Sequence, residues 1–90
     1  MEITFDSAKR LRTLLERGLD FADAVEVFAG DYAVERDLKR DYGEPRFITA
    51  GVLRGRMVVV VWTPRDGTRR IISMRTCHER EASEWRKRLG

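Results

Sequence analysis

The sequence predicts an α+β fold, an antiparallel β-sheet meander packed under two N-terminal helices, with a C-terminal helix. Three observations predict it. Apolar residues recur at helical spacing in the opening third of the chain and again near its end. Between these regions, segments rich in Val, Ile, Thr and aromatic residues alternate with short clusters of turn formers. One of those segments, the run MVVVVW at Met57–Trp62, has no polar alternation, which marks a central strand buried on both faces.

Taken in order, EITF alternates as a short strand, and Asp6 or Ser7 can cap a helix whose apolar side is Ala8, Leu11, Leu14 and Leu15. Gly18 supplies the left-handed residue that ends it. Asp20 is a second cap, followed by Phe21, Ala24, Val25 and Phe28 at helical spacing, and Gly30 closes that helix. Tyr32–Glu35 is a weak strand. Arg36–Pro45, RDLKRDYGEP, is charged and breaker-rich and predicts a loop. Phe47–Leu53 is a stronger strand, turning at Arg54-Gly55 into the central one. The PRDG of Pro64–Gly67 predicts a turn into a last strand, Arg69–Arg75. Thr76 and Glu79 have capping-box spacing, which starts the last helix at Thr76. Its stripe of Ala82, Trp85 and Leu89 is narrow, so it is expected to dock by an edge or onto a partner.

At 90 residues the chain is expected to be one domain spanning 1–90. A chain of this size hides only roughly 60–65% of its unfolded surface, so the core is modest. No apolar run approaches the roughly 18 residues that would span a bilayer, and the amino end lacks a signal peptide's apolar stretch. A soluble, cytoplasmic protein without membrane contact is the expectation. The single Cys77 forms no intrachain disulfide, and with one histidine it makes no metal cluster. Neither metal nor cofactor is expected.

Net charge is +3, but it is unevenly spread. Residues 1–44 carry 7 basic and 11 acidic side chains, whereas residues 45–90 carry 11 basic and 4 acidic. That asymmetry predicts a basic face for a polyanion, with acidic surface elsewhere to limit nonspecific binding. The basic residues are 15 Arg against 3 Lys, and the planar guanidinium fork suits phosphate better than a point charge does.

Several short motifs occur in one order along nearly the whole chain: Phe5-Asp6-Ser7-Ala8-Lys9, then Arg17-Gly18-Leu19-Asp20-Phe21, the Ala24–Phe28 helix end, Arg46-Phe47-Ile48, Gly55-Arg56, Ile71-Ile72-Ser73-Met74-Arg75, and Arg80-Glu81. In this the sequence resembles the BrnT toxins of bacterial type II toxin–antitoxin systems, whose fold is similar to the RelE-like ribonucleases. It departs from them in having Phe5 for an opening tryptophan, Glu16-Arg17-Gly18 for a Lys-His-Gly turn, and Trp85 for a late tyrosine. The resemblance implies an endoribonuclease that arrests translation, with RNA as substrate. It also implies a small BrnA-like antitoxin, encoded beside it and able to bind DNA, as the neutralising partner.

Metal-free RNA cleavage requires deprotonating a ribose 2′-hydroxyl, stabilising charge on the phosphorus-centred transition state, and protonating the departing 5′-oxygen. Arginine suits the second task, and preplaced cations commonly supply the largest catalytic term. Alternation along the last strand puts Arg69, Ile71, Ser73 and Arg75 on one face, with Ile72 and Met74 toward the helices. Arg75 is the first catalytic candidate. Arg46 and Arg56, each starting a strand, are expected to converge with it on a phosphate if the register allows, and a salt bridge is the competing role for Arg75. His78, at the start of the last helix, can serve as acid or base. Against it, the helix N-terminus disfavours an imidazolium, and Glu79 and Glu81 add negative charge. Arg69, Ser73, Arg80 and Lys9 are candidates for RNA binding, and Lys9, Arg10, Arg12 and Arg17 can line the substrate's approach along the first helix. Tyr32 and Tyr42 can donate a proton or stack on a base, though both also suit packing. The competing function is a catalytically inactive RNA- or partner-binding module of the same fold.

Overall fold

The computed structural model describes residues 2–39 and 41–89. Arg40, within the expected loop, lies outside the described residues. The elements run β1 (Ile3–Phe5), α1 (Ser7–Arg17), a 3₁₀ turn (Phe21–Asp23), α2 (Ala24–Ala29), β2 (Tyr32–Arg36), β3 (Phe47–Leu53), β4 (Arg56–Arg65), β5 (Thr68–Thr76) and α3 (Glu79–Leu89). This is the α+β order that the sequence predicts. Strands β2 to β5 form the expected antiparallel meander. The sheet is nonetheless mixed, because β1 pairs with β5 in parallel, giving the order β1-β5-β4-β3-β2.

Both hairpin turns use two residues with positive φ, Arg54-Gly55 (50° and 84°) and Asp66-Gly67 (52° and 77°). Such turns match the twist of the flanking strands. The second turn lies later than PRDG suggests: Pro64 and Arg65 belong to β4. Pro64 can sit there because β3 begins at Phe47 opposite Trp62, so the strand on that side has already ended and the missing N–H leaves no gap in its ladder.

As the unbroken apolar run predicts, β4 is central. Val58, Val60 and Trp62 face one side of the sheet with Phe21, Ala24, Val27, Leu53, Ile71 and Met74; Met57 and Val59 face the other with Ala50, Ala82 and Trp85. Thus α2 and the 3₁₀ turn cover one face and α3 covers the other. The face away from the N-terminal helices is roofed by α3, which docks through the expected stripe, with Ala82 and Trp85 buried. Arg88 ties its last turn to the outer strand, donating to Glu35 Oε2 at 2.8 Å and to the Val34 carbonyl at 3.3 Å. That contact also blunts an exposed sheet edge. Gly51 allows α2 to approach closely, since a Cβ there would lie 2.8 Å from Val27 Cγ1.

Helix α1 begins as expected, with Asp6 Oδ2 accepting from the Lys9 N–H at 2.9 Å, and ends at left-handed Gly18. Its orientation is the reverse of the expected one. No α1 residue is buried, and Leu11 and Leu15 keep 56% and 77% of their surface exposed. The inward positions belong to polar residues. Arg10 forms a two-point ion pair with Asp20 (2.7 and 3.0 Å), and Arg17 donates to the Met74 carbonyl at 2.9 Å. The cause is β1. It covers the outer edge of β5 only from Arg69 to Ile71, and α1, following directly, lies beside the part of β5 that has no strand partner on that edge. A helix in that place must satisfy edge carbonyls, and Arg17 does so.

Among the described residues, no helix is long and apolar enough to cross a membrane.

Candidate functional site

The site starts from an irregularity in β5. Val61 pairs with Ser73 and Trp62 with Ile71, which leaves Ile72 as an extra residue in a β-bulge. The bulge resets the alternation. Ile71 and Met74 both reach the core under α2, whereas Ser73, Arg75 and Cys77 follow on the other side. Strict alternation had put Ile71 with Ser73 and Arg75, and Ile72 with Met74; Ile71 takes the core place, and Ile72 turns to the strand edge.

At that edge lies a groove of about 260 Å³, lined by Lys9, Arg12, Thr13, Glu16 and Arg17 of α1 and by Ile72 and Ser73 of β5. Lys9 and Ser73, two sequence candidates, therefore meet, with Arg12 and Arg17 beside them. Among the described residues neither Lys9 Nζ nor Arg12 has a carboxylate partner. A second groove, of about 530 Å³, lies between the β3–β4 turn and α3, with Arg56, Cys77, Glu79 and Arg86 in its lining. Arg75, between Ser73 and Cys77 on the same side of β5, stands between the two grooves.

Arg75 makes a two-point ion pair with Glu81, both bonds 2.6 Å. A guanidinium fork on a carboxylate is the geometry by which arginine also grips phosphate. The pairing holds the Glu81 carboxyl below the usual carboxylate range, chiefly through the Arg75 hydrogen bond and against the opposing effect of burial. Burial pushes the neighbouring Cys77 thiol up to about 11, so it stays protonated at neutral pH.

His78 caps α3. Its Nδ1 accepts from the Glu81 N–H at 3.2 Å, and its carbonyl accepts from the Ala82 N–H. The helix starts at Glu79 and not at Thr76, because Thr76 is the last residue of β5, paired with Val58. With Nδ1 committed to the cap, only Nε2 can exchange a proton with a ligand. Arg80 is exposed on the first turn of α3.

The expected convergence of three arginines is not permitted by the register. Arg56 lies opposite Leu53 at one end of β3, and Arg46 precedes Phe47 at the other, roughly 20 Å of strand away. Arg46 stacks over the Tyr42 ring at 3.9 Å, with Glu44 at 3.7 Å. Arg69 is also remote from the groove. Its guanidinium lies over the Phe28 ring at 4.0 Å and the Trp62 ring at 5.1 Å, and donates to Tyr32 Oη at 3.4 Å. Both side chains bind elements of the fold together, as cation–π contacts do when partly desolvated. Tyr42 donates to Asp37 Oδ2 at 3.0 Å. Among the described residues, no group of three or more His, Cys, Asp or Glu side chains is placed to hold a metal ion.

Two ion pairs contribute to the acid sensitivity, beside the Asp37 carboxyl, which hydrogen bonds from the Lys39 N–H and the Tyr42 hydroxyl hold below the usual carboxylate range. The carboxyls of Asp20, beside Arg10, and Glu81, beside Arg75, are both lowered in the folded chain. A lowered folded-state pKa stabilises the fold above the ordinary carboxylate range, and that contribution is lost as pH falls through and below it. Thermal unfolding followed from neutral pH downward should show this loss, and Asp20→Asn should flatten it while lowering stability at neutral pH. An unchanged slope in that variant would remove Asp20 from the account.

The part of the chain that builds the groove edge and the Arg75–Glu81 pair is also the part that comparison identifies. Curated proteins gave no match. The family model described as "Ribonuclease toxin, BrnT, of type II toxin-antitoxin system" matches residues 5–81, from the last residue of β1 through Glu81. A match over that much of a 90-residue chain leaves one conclusion: this chain belongs to the BrnT family of ribonuclease toxins of type II toxin–antitoxin systems.

Proposed function

We propose that this chain is an endoribonuclease that works without a metal ion, that its cleavage of RNA in the cytoplasm arrests translation, and that a BrnA-like, DNA-binding antitoxin neutralises it. The observation that carries the reading is a pair of cation-lined grooves on either side of the Arg75 position: Lys9, Arg12 and Arg17 in the one at the free edge of β5, and Arg56 and Arg86 in the one between the β3–β4 turn and α3. Single-stranded RNA needs such a track for its phosphates.

In the proposed reaction the 2′-oxygen attacks the adjacent phosphorus and the bond to the 5′-oxygen breaks. One proton leaves the hydroxyl and one is delivered to the departing oxygen, giving a cyclic phosphate and a free 5′-hydroxyl. Arg75 grips the phosphate through the transition state, with Lys9 and Arg12 on flanking phosphates and Ser73 within the same groove. The substrate competes with Glu81 for the Arg75 fork, so Glu81 holds the side chain in its productive orientation beforehand. Arg46 and Arg69 act on the fold, and Arg56 on RNA in the second groove. Arg80 faces solvent and adds to the attraction of RNA. His78 can contribute a proton only through Nε2.

The test is incubation of purified chain with single-stranded RNA in excess chelator. Cyclic-phosphate ends should appear, and restoration of cleavage only by added divalent ions would reject the metal-free reading.

A specific observation favours a second reading. Because Arg75 is neutralised by Glu81, a chain in which RNA cannot displace that carboxylate would be a catalytically inactive RNA- or partner-binding module. That module binds RNA in a salt-dependent way and leaves it intact.

A further inference from the structure

Helix α1 turns its leucines outward. Ala8, Leu11 and Leu15 are spaced as one stripe of a helix surface, Leu14 beside them is 41% exposed, and it is Arg10, Thr13 and Arg17 that reach toward Asp20 and β5. A solvent-facing leucine stripe on a helix anchored by arginines is unfavourable in an isolated chain, and it is the form that helix-in-groove recognition uses. Its long flank is cationic. Lys9 and Arg12 lack ion-pair partners among the described residues, and Glu16 is the one acid in that lining.

We propose that the antitoxin docks an acidic amphipathic helix on this stripe. Its apolar residues cover Leu11 and Leu15, and its carboxylates pair with Lys9 and Arg12. The stripe from Ala8 to Leu15 spans about 10 Å, so two to three turns of partner helix suffice. This inference rests on the toxin reading above and adds the mode of regulation: the carboxylates take the cations that RNA phosphates would use, so inhibition is direct competition at the groove. Charge selects this occupant. A second copy of the chain would bring two sets of Lys9 and Arg12 together, and RNA offers nothing to leucine.

The experiment compares the full chain with the double variant L11Q/L15Q, which removes the apolar stripe without adding charge beside Arg12, and with L11M/L15M as the conservative control, each titrated with the product of the adjacent reading frame. Both leucines are exposed, so circular dichroism and the thermal midpoint should not change. Affinity for that product should fall by at least about 100-fold in L11Q/L15Q and be retained in L11M/L15M. RNA cleavage by L11Q/L15Q alone should equal that of the unmodified chain. Binding within about threefold of the unmodified chain, or no binding of that product to the unmodified chain, overturns the proposal. So does loss of RNA binding in L11Q/L15Q, or a self-dimer in sedimentation that L11Q/L15Q dissolves. If the unmodified chain cleaves no RNA, the catalytic reading fails, yet the affinity ratio still decides the docking site.

Discussion

Arg75→Ala should lower RNA cleavage by about 100- to 1,000-fold, the usual effect of removing one preorganised charge donor from a transition state. The side chain is half exposed and its ion pair with Glu81 is screened by solvent, so the cost in stability should stay below about 1 kcal/mol. Arg75→Lys should not restore the rate, because one ammonium cannot reproduce a two-point grip. Glu81→Gln separates catalysis from scaffolding. If Arg75 serves the phosphate, releasing it from its carboxylate leaves RNA affinity equal or higher; if Arg75 only holds α3, both variants lose activity alike. Cleavage by Arg75→Ala at the rate of the unmodified chain would end its assignment.

The largest effect on stability is expected from Trp62→Ala. Trp62 stacks on Phe47 with ring centres 5.0 Å apart, meets Phe28 edge-on at 5.8 Å, and donates from Nε1 to Thr49 Oγ1 at 2.7 Å. Its removal opens a cavity, leaves a buried hydroxyl short of a partner and takes one ring from beneath Arg69. About 3–5 kcal/mol should be lost in urea unfolding, against a total of about 5–15 kcal/mol for a small domain. The urea midpoint of the variant should therefore fall well below that of the unmodified chain. A loss below about 1 kcal/mol would mean that the surrounding side chains close the space.

What the sequence made legible followed from local chemistry. The unbroken valines of β4 gave a strand buried on both faces, and Asp6, Gly18 and Gly55 fixed a cap, a helix end and a turn. What it hid depended on distant partners. A three-residue strand carries no sign that it will pair in parallel with β5. Ile71 and Ile72 are the same residue type, so nothing local tells which one the bulge turns outward, and the faces after it cannot be counted. Thr76 suits both a strand end and a helix cap, and its pairing with Val58 decided for the strand. The periodicity of α1 correctly marked an apolar side. Which surface that side would meet was set by the free edge of β5, and that edge exists only because β1 is short. Of the candidate site, Lys9, Ser73 and Arg75 were legible by residue type and strand alternation, whereas the meeting of Lys9 with Ser73 at one edge and the separation of Arg46 from Arg56 needed the sheet's pairing and register.

The contact between Arg17 and the Met74 carbonyl joins positions 57 residues apart. The groove that it closes is built from the first helix and the last strand, so no shorter stretch of the chain contains both walls. During synthesis the N-terminal wall leaves the ribosome long before the other has been translated. A nascent chain therefore carries no finished groove until β5 has left the ribosome and reached α1.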